Sequence, residues 1–115
     1  MVRPATALSG IASELLILRL LAGREMYGYE LAKTVLALTE SAIRLREGLL
    51  YPLLHDLDQR GLIRSRRETV AGRPRVYYRV TPRGRRELAR QTERWRRVQR
   101  AVTAVLEAGA YVWTH

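Results

Sequence analysis

Up to Arg60 the apolar residues of this chain recur every three or four positions, and beyond Gly61 they recur every second one. That change of period confines the fold to a run of helices followed by a β-hairpin. A first helix is expected over residues 7–22, where Leu8, Ile11, Leu15, Leu18 and Leu21 share a face and Gly23 supplies a stop. A second is expected over 28–38, with Leu31, Val35 and Leu38 turned inward. A third, over 47–60, buries Leu50, Leu53, Leu54 and Leu57, leaves Gly48, Pro52, His55 and Gln59 outside, and ends in a left-handed cap at Gly61.

Residues 62–70 and 75–80 then read as two strands joined by Ala71-Gly72-Arg73-Pro74, a hairpin with a basic tip. In the second strand Val76, Tyr78 and Val80 alternate with Arg75, Tyr77 and Arg79, so one face is expected to be apolar and the other charged. Thr81 and Pro82 open a fourth helix, as N-cap and first helical residue, that extends to about residue 111. Its heptads place Leu88, Trp95, Val102 and Gly109 at one seam position. Gln91, Val98, Val105 and Val112 occupy the other, so a polar Gln91 interrupts a two-helix seam. Leu88, Trp95, Val98, Val102 and Val105 are thus the expected dimer contacts.

Three helices followed by a basic hairpin is the order of a winged helix-turn-helix, in which the third helix enters the major groove and the hairpin flanks it. The expected fold is mainly α (α+β). Residues 1–81 form the winged-helix DNA-binding domain and residues 82–115 a C-terminal dimerisation helix. At 115 residues, 47% apolar and without phenylalanine, one small core of Leu, Val, Ile and Ala is affordable, and a partner chain would enlarge it.

Charge narrows the partner. The chain carries 21 basic and 11 acidic residues, net +10, and every basic residue but Lys33 is arginine. Residues 60–100 hold 15 Arg against 3 Glu, whereas residues 1–59 hold 6 basic against 7 acidic. A field of one sign repels itself until a polyanion neutralises it, which favours nucleic acid. Arginine suits bidentate phosphate or guanine recognition, although a GC-rich genome produces the same bias.

Other classes fare worse. There is no cysteine, glycine-rich phosphate loop or metal cluster, and Ser9, Ser13, Ser41 and Ser65 lack triad context, so neither an enzyme nor a cofactor is expected. The lack of cysteine is compatible with a reducing cytoplasm, and nothing resembles an export signal. The longest apolar stretch, residues 11–22, contains Ser13, Glu14 and Arg19 and falls short of the ~20 residues that span a bilayer. The competing reading is a non-specific nucleoid-associated or RNA-binding protein, for which the arginine excess alone would suffice.

Met26-Tyr27-Gly28-Tyr29-Glu30-Leu31, Gly48-Leu49-Leu50-Tyr51-Pro52-Leu53-Leu54, Gly61-Leu62-Ile63, Gly72-Arg73, Tyr77-Tyr78-Arg79-Val80-Thr81 and Gly84 together resemble the PadR family of bacterial transcription regulators, over residues 11–106. Leu49 stands where that family often has Thr or Ser, so a phosphate-contacting hydroxyl is missing there. The resemblance implies a homodimeric, ligand-responsive repressor on double-stranded DNA with a pseudo-palindromic operator, and the short C-terminal segment implies the compact subgroup. It places Tyr51 at the DNA-facing edge of the third helix; packing between helices is the alternative. Arg44 and Arg46, just before that helix, can reach bases or backbone, or remain solvated. His55 is either a DNA contact or a surface histidine, and a metal site is not expected because His115 is the only other histidine. Arg73 and Arg75 at the wing tip meet phosphates or the minor groove, or serve solubility. In the compact subgroup, paired tryptophans line a cavity for flat aromatics, so Trp95 with Val98 either binds a planar aromatic or phenolic effector or is plain dimer core.

Overall fold

The inward stripes read from the sequence converge on one core, described here from a computed structural model of residues 4–109, with side chains from Ala12 onward. Helix α1 (Pro4–Gly23) starts earlier than its apolar pattern requires and sends Ile17, Leu18 and Leu21 inward; Leu15, expected on that face, stays outside the core, and the side chains of Leu8 and Ile11 lie outside the described residues. Leu31 and Val35 meet them from α2 (Gly28–Leu38), and Leu50, Leu54 and Leu57 from α3 (Glu47–Gln59). Leu38, expected on the inner face of α2, is 71% exposed because the helix ends there and the chain turns away at Thr39. Val102, Val112, Trp113 and His115 illustrate the limit at the other end: the first is described, the last three lie outside the described residues.

The sheet has three strands where two were expected. Met26–Tyr27 forms a short β1 that pairs with β3 (Arg73–Val80), Met26 opposite Tyr78 and Tyr27 opposite Tyr77, giving the order β1-β3-β2 with β2 at Ile63–Val70. Two residues carry no readable period, and β1 exists because burial of Met26 lays its backbone along the open edge of β3. Val70 pairs with Arg73, so the turn is Ala71-Gly72 alone and Arg73 and Pro74 belong to the strand rather than to a four-residue tip. Both turn residues have positive φ, +52° and +77°, as a two-residue type I′ hairpin demands.

One junction ties these pieces together. Helix α3 ends at Arg60 and Gly61 (φ +72°), where the Gly61 amide donates to Asp58 and the Leu62 amide to Leu57, a Schellman closure. Thr81, at the end of β3, donates its backbone N–H to the Leu62 carbonyl and its hydroxyl to the Gly61 carbonyl at 2.7 Å. The same hydroxyl accepts the Gly84 amide at 3.0 Å, capping α4 (Pro82–Ala108). Gly84 is buried in this contact; a Cβ there would overlap the Leu62 carbonyl oxygen and press on Val80.

The first turns of α4 are therefore fixed to the body. Leu88 packs on the protomer's own core, whereas Val98, Val102, Val105 and Leu106 farther along are exposed.

Two stability changes follow from these backbone constraints. Gly84→Ala should cost about 3 kcal/mol or more, because backbone rather than a flexible side chain must move; thermal unfolding should show a large fall in Tm. Ala71→Asn should raise stability by about 0.5–1 kcal/mol, since asparagine tolerates the left-handed region better than alanine; an unchanged or lower midpoint in urea would contradict the turn assignment.

Candidate nucleic-acid interface

The turn between α2 and α3 decides which side chains reach solvent ahead of the third helix. Glu40 and Ser41 are both left-handed, at φ +51° and +67°. The Thr39 hydroxyl donates to the Val35 carbonyl and accepts the Ile43 amide. The chain then re-enters the core at Leu45, 4% exposed, which leaves Arg44 and Arg46 outside on either side of it. Neither guanidinium has a hydrogen bond or ion pair to a described residue. Arg46 occupies the N-cap position of α3, its carbonyl accepting the amides of Leu49 and Leu50.

Along α3 the expected outward residues are exposed. Gly48 sits in the first turn in open space: a Cβ there would meet nothing within 4 Å. Tyr51 is 46% exposed, and its ring edge lies where a Cβ on Gly28 would approach it to 2.9 Å. The hydroxyl end of the tyrosine therefore packs on the start of α2, while the side chain as a whole stays half exposed. His55 and Pro52 continue the exposed flank.

Facing that flank is the wing. Gly28 and Tyr51 on the helices and Pro74, Val76 and Tyr78 on β3 enclose a cleft of about 330 Å³, with Tyr27 and Arg75 at its rim. Burial near Tyr51 and Asp58 pushes the Tyr78 phenol above its ordinary value, desolvation being the main cause. Arg73 stands exposed at the start of β3. Arg75 is not at a protruding turn: its guanidinium lies 4.5 Å over the Tyr27 ring. Tyr27 meets Tyr77 edge-on, and Arg66 lies 4.7 Å over Tyr77. Arg66 also binds Glu25 and Glu68, and its hydrogen bond to Glu25 holds that carboxyl below the usual range. The outer face of the sheet, expected to be simply charged, is thus an arginine–tyrosine ladder whose far end is anchored on β1.

The expected effector and dimer residues lie elsewhere. Trp95, 37% exposed, and Val98 border a groove of about 400 Å³ with Leu15, lined also by Glu14, Arg60, Glu87 and Gln91. There Gln91 donates to Glu14 and Glu87, and Arg60 donates to Glu14 and Asp56. Gln91 and then Arg90 hold the Glu87 carboxyl below its ordinary value. The polar interruption of the heptad is therefore an internal tie between α1 and α4.

Helical spacing puts Gly48, Tyr51 and His55 on one exposed flank of α3, Arg73 stands at the wing's end, and Arg44 lies apart from them in a shallow pocket with Tyr29, Lys33 and Leu36 of α2; Trp95, Val98, Val102 and Val105 form a separate row on α4. Sequence reasoning missed the ladder of Tyr27, Tyr77, Arg66 and Glu25. The tyrosine pairs were visible, but the pairing of β1 that joins them was not. Among the described residues no group of His, Asp or Glu could hold a metal ion, and no helix is long and apolar enough to cross a membrane.

Residues 17–90 match the model of the "Transcriptional regulator PadR-like family". The chain is 40% identical over 77 residues to a transcriptional regulator of Mycobacterium tuberculosis, covering 67% of this chain and 69% of that one. Its fold is similar to a PadR family transcriptional regulator from Eggerthella lenta, with TM-score 0.76, 30% identity, and 91% and 90% of the two chains covered. It is also similar to a PadR family transcription regulator from Clostridium difficile, with TM-score 0.71, 30% identity, and 82% and 97% covered. The extent of the family match, joined to a winged-helix architecture with an exposed third helix, means that the chain belongs to the PadR-like family of transcriptional regulators and is not an enzyme.

Proposed function

We propose that the chain binds double-stranded DNA as a homodimer and acts in the cytoplasm as a ligand-responsive repressor on a pseudo-palindromic operator. Its half-sites would lie about one helical turn, ~34–36 Å, apart. Gly48 carries this reading. Glycine in a helix costs roughly 1 kcal/mol relative to alanine, and no contact within the described residues requires one here. It stands just after the free guanidiniums of Arg44 and Arg46, on the flank that a duplex would meet. Close approach of a groove to the backbone of α3 accounts for the missing side chain.

In this reading Arg44 and Arg46, just ahead of α3, and His55 on it reach base edges or phosphates. Tyr51 donates its hydroxyl to a phosphate, and the wing, with Arg73 at its end, holds the backbone. Residues 1–81 form the DNA-binding unit and α4 the dimerisation unit. An apolar row on a helix in water calls for a partner, and Trp95, Val98, Val102 and Val105 supply one for a second α4. Leu88 would contribute at the base of the seam, where it also serves the protomer core. The groove beside Trp95 and Val98 would take a planar aromatic or phenolic compound by stacking. Such a compound regulates only if it binds the DNA-free and DNA-bound dimers unequally.

Two variants test this reading. Gly48→Ala should leave the fold intact or slightly more stable while weakening binding to an operator selected from genomic fragments by tenfold or more. Undiminished affinity, read by fluorescence anisotropy, would remove α3 from the interface, and a wild-type preference for operator over random duplex below ~10³ would favour the non-specific reading. Val102→Glu places an unpaired carboxylate in the seam and should give a monomer by light scattering; a well-folded dimer would place the seam elsewhere.

A further inference from the structure

The register of the hairpin sorts the arginines of the wing. Ile63, which is fully buried, opens β2 on the face turned to the helices, and strand alternation puts Ser65 and Arg67 on that same face. Their partners on β3 are Val80, Tyr78 and Val76, of which Tyr78 and Val76 wall the cleft beside Tyr51. Arg64 and Arg66 fall on the opposite face, as do Arg73, Arg75 and Arg79, the residues paired in turn with Val70, Glu68 and Arg64. Of the six arginines on the two strands, Arg67 alone faces the third helix.

On the outer face Arg66 is bound by Glu25 and Glu68, Arg75 lies over Tyr27, and Arg79 sits close enough to Glu25 to help hold that carboxyl ionised, whereas Arg64 and Arg73 have no hydrogen bond, ion pair or ring contact to a described residue. Arg67 is exposed, and its side chain has no hydrogen bond, ion pair or ring contact to a described residue. Arg75 stands at the rim of the cleft but is laid over Tyr27, so Arg67, paired with Val76 of the cleft wall, is the unengaged guanidinium on the face of the wing turned to the helices. Its place halfway along the hairpin puts it between the recognition flank of α3 and the wing tip.

We propose that Arg67 is a backbone-phosphate contact of the wing, holding the DNA strand that passes between the wing and α3, and that Arg75 is a positioning residue which stiffens the wing through Tyr27. This rests on the DNA-binding reading above and adds a residue to it. A phosphate contact carries no sequence information, so its loss weakens every duplex alike and releases fewer counterions.

The test measures affinity of the full-length protein for the selected operator and for random duplex across a salt series, with Arg67→Gln, Arg67→Lys and Arg75→Gln, and thermal unfolding of each. Arg67→Gln should leave Tm unchanged, weaken both duplexes at least tenfold at 0.1 M salt, and flatten the slope of log K against log salt by about 2 per dimer, at ~0.9 per lost contact. Arg67→Lys, which keeps the charge, should restore most of the slope. Arg75→Gln should lower Tm and leave the slope near wild type. An Arg67→Gln slope equal to wild type, or a flattening confined to Arg75→Gln, overturns the proposal. Wild-type protein that binds neither duplex overturns the DNA-binding reading itself, which separates the two failures.

Discussion

The close approach of α4 to the corner where α3 becomes β2 is the contact from which the remaining geometry follows. Gly84 allows the first turn of α4 to lie against the Leu62 carbonyl, and Thr81 secures it there by binding the Gly61 and Leu62 carbonyls while capping the helix. Three elements meet within a few residues: the end of α3, the base of the wing and the start of the long helix. Their relative orientations are consequently one quantity rather than three. A force applied to α4 reaches α3 through backbone hydrogen bonds, and the Gln91–Glu14–Arg60 tie adds a second, side-chain connection between the same bodies.

The arginine excess divides by physical role once the register is known. Arg60 and Arg66 have carboxylate partners, and Arg75 is laid over an aromatic face; these charges shape the protein. Arg44, Arg46, Arg67 and Arg73 have no such engagement among the described residues. Exposed ion pairs contribute little to stability each, but the ladder of Arg75, Tyr27, Tyr77 and Arg66 is extended, and it ties a two-stranded projection to β1. A hairpin standing alone is marginally stable in water. The ladder and the third strand give the wing a defined position against α3, which a groove of fixed width requires.

The same separation holds along α4. Its first half packs one face, with Gly84 and Leu88, against the body of the protomer, and its second half carries an exposed apolar row. In the proposed function the helix thus joins the DNA-binding unit to the surface for a second copy, with the Trp95 groove at the boundary between them.

Much of this was legible in the residues. The stripe of Leu50, Leu54 and Leu57, the stop at Gly61, the cap at Thr81 and the period change at the hairpin are local signals, because backbone periodicity and capping depend on neighbours within one turn or one strand. They determined the element order, the outward flank of α3 and the family resemblance. The length of the turn was less legible, since Arg73 and Pro74 look like loop residues until Val70 is seen to pair with Arg73. The β1 strand, the commitment of Arg75 to Tyr27 and the reach of Gln91 to Glu14 are contacts across long stretches of chain. No local preference encodes which of several arginines will find a partner. That was decided only by tertiary structure, which brings β1 to the edge of β3 and α1 to the side of α4, and so settles which charges are spent within the protein and which remain for a ligand.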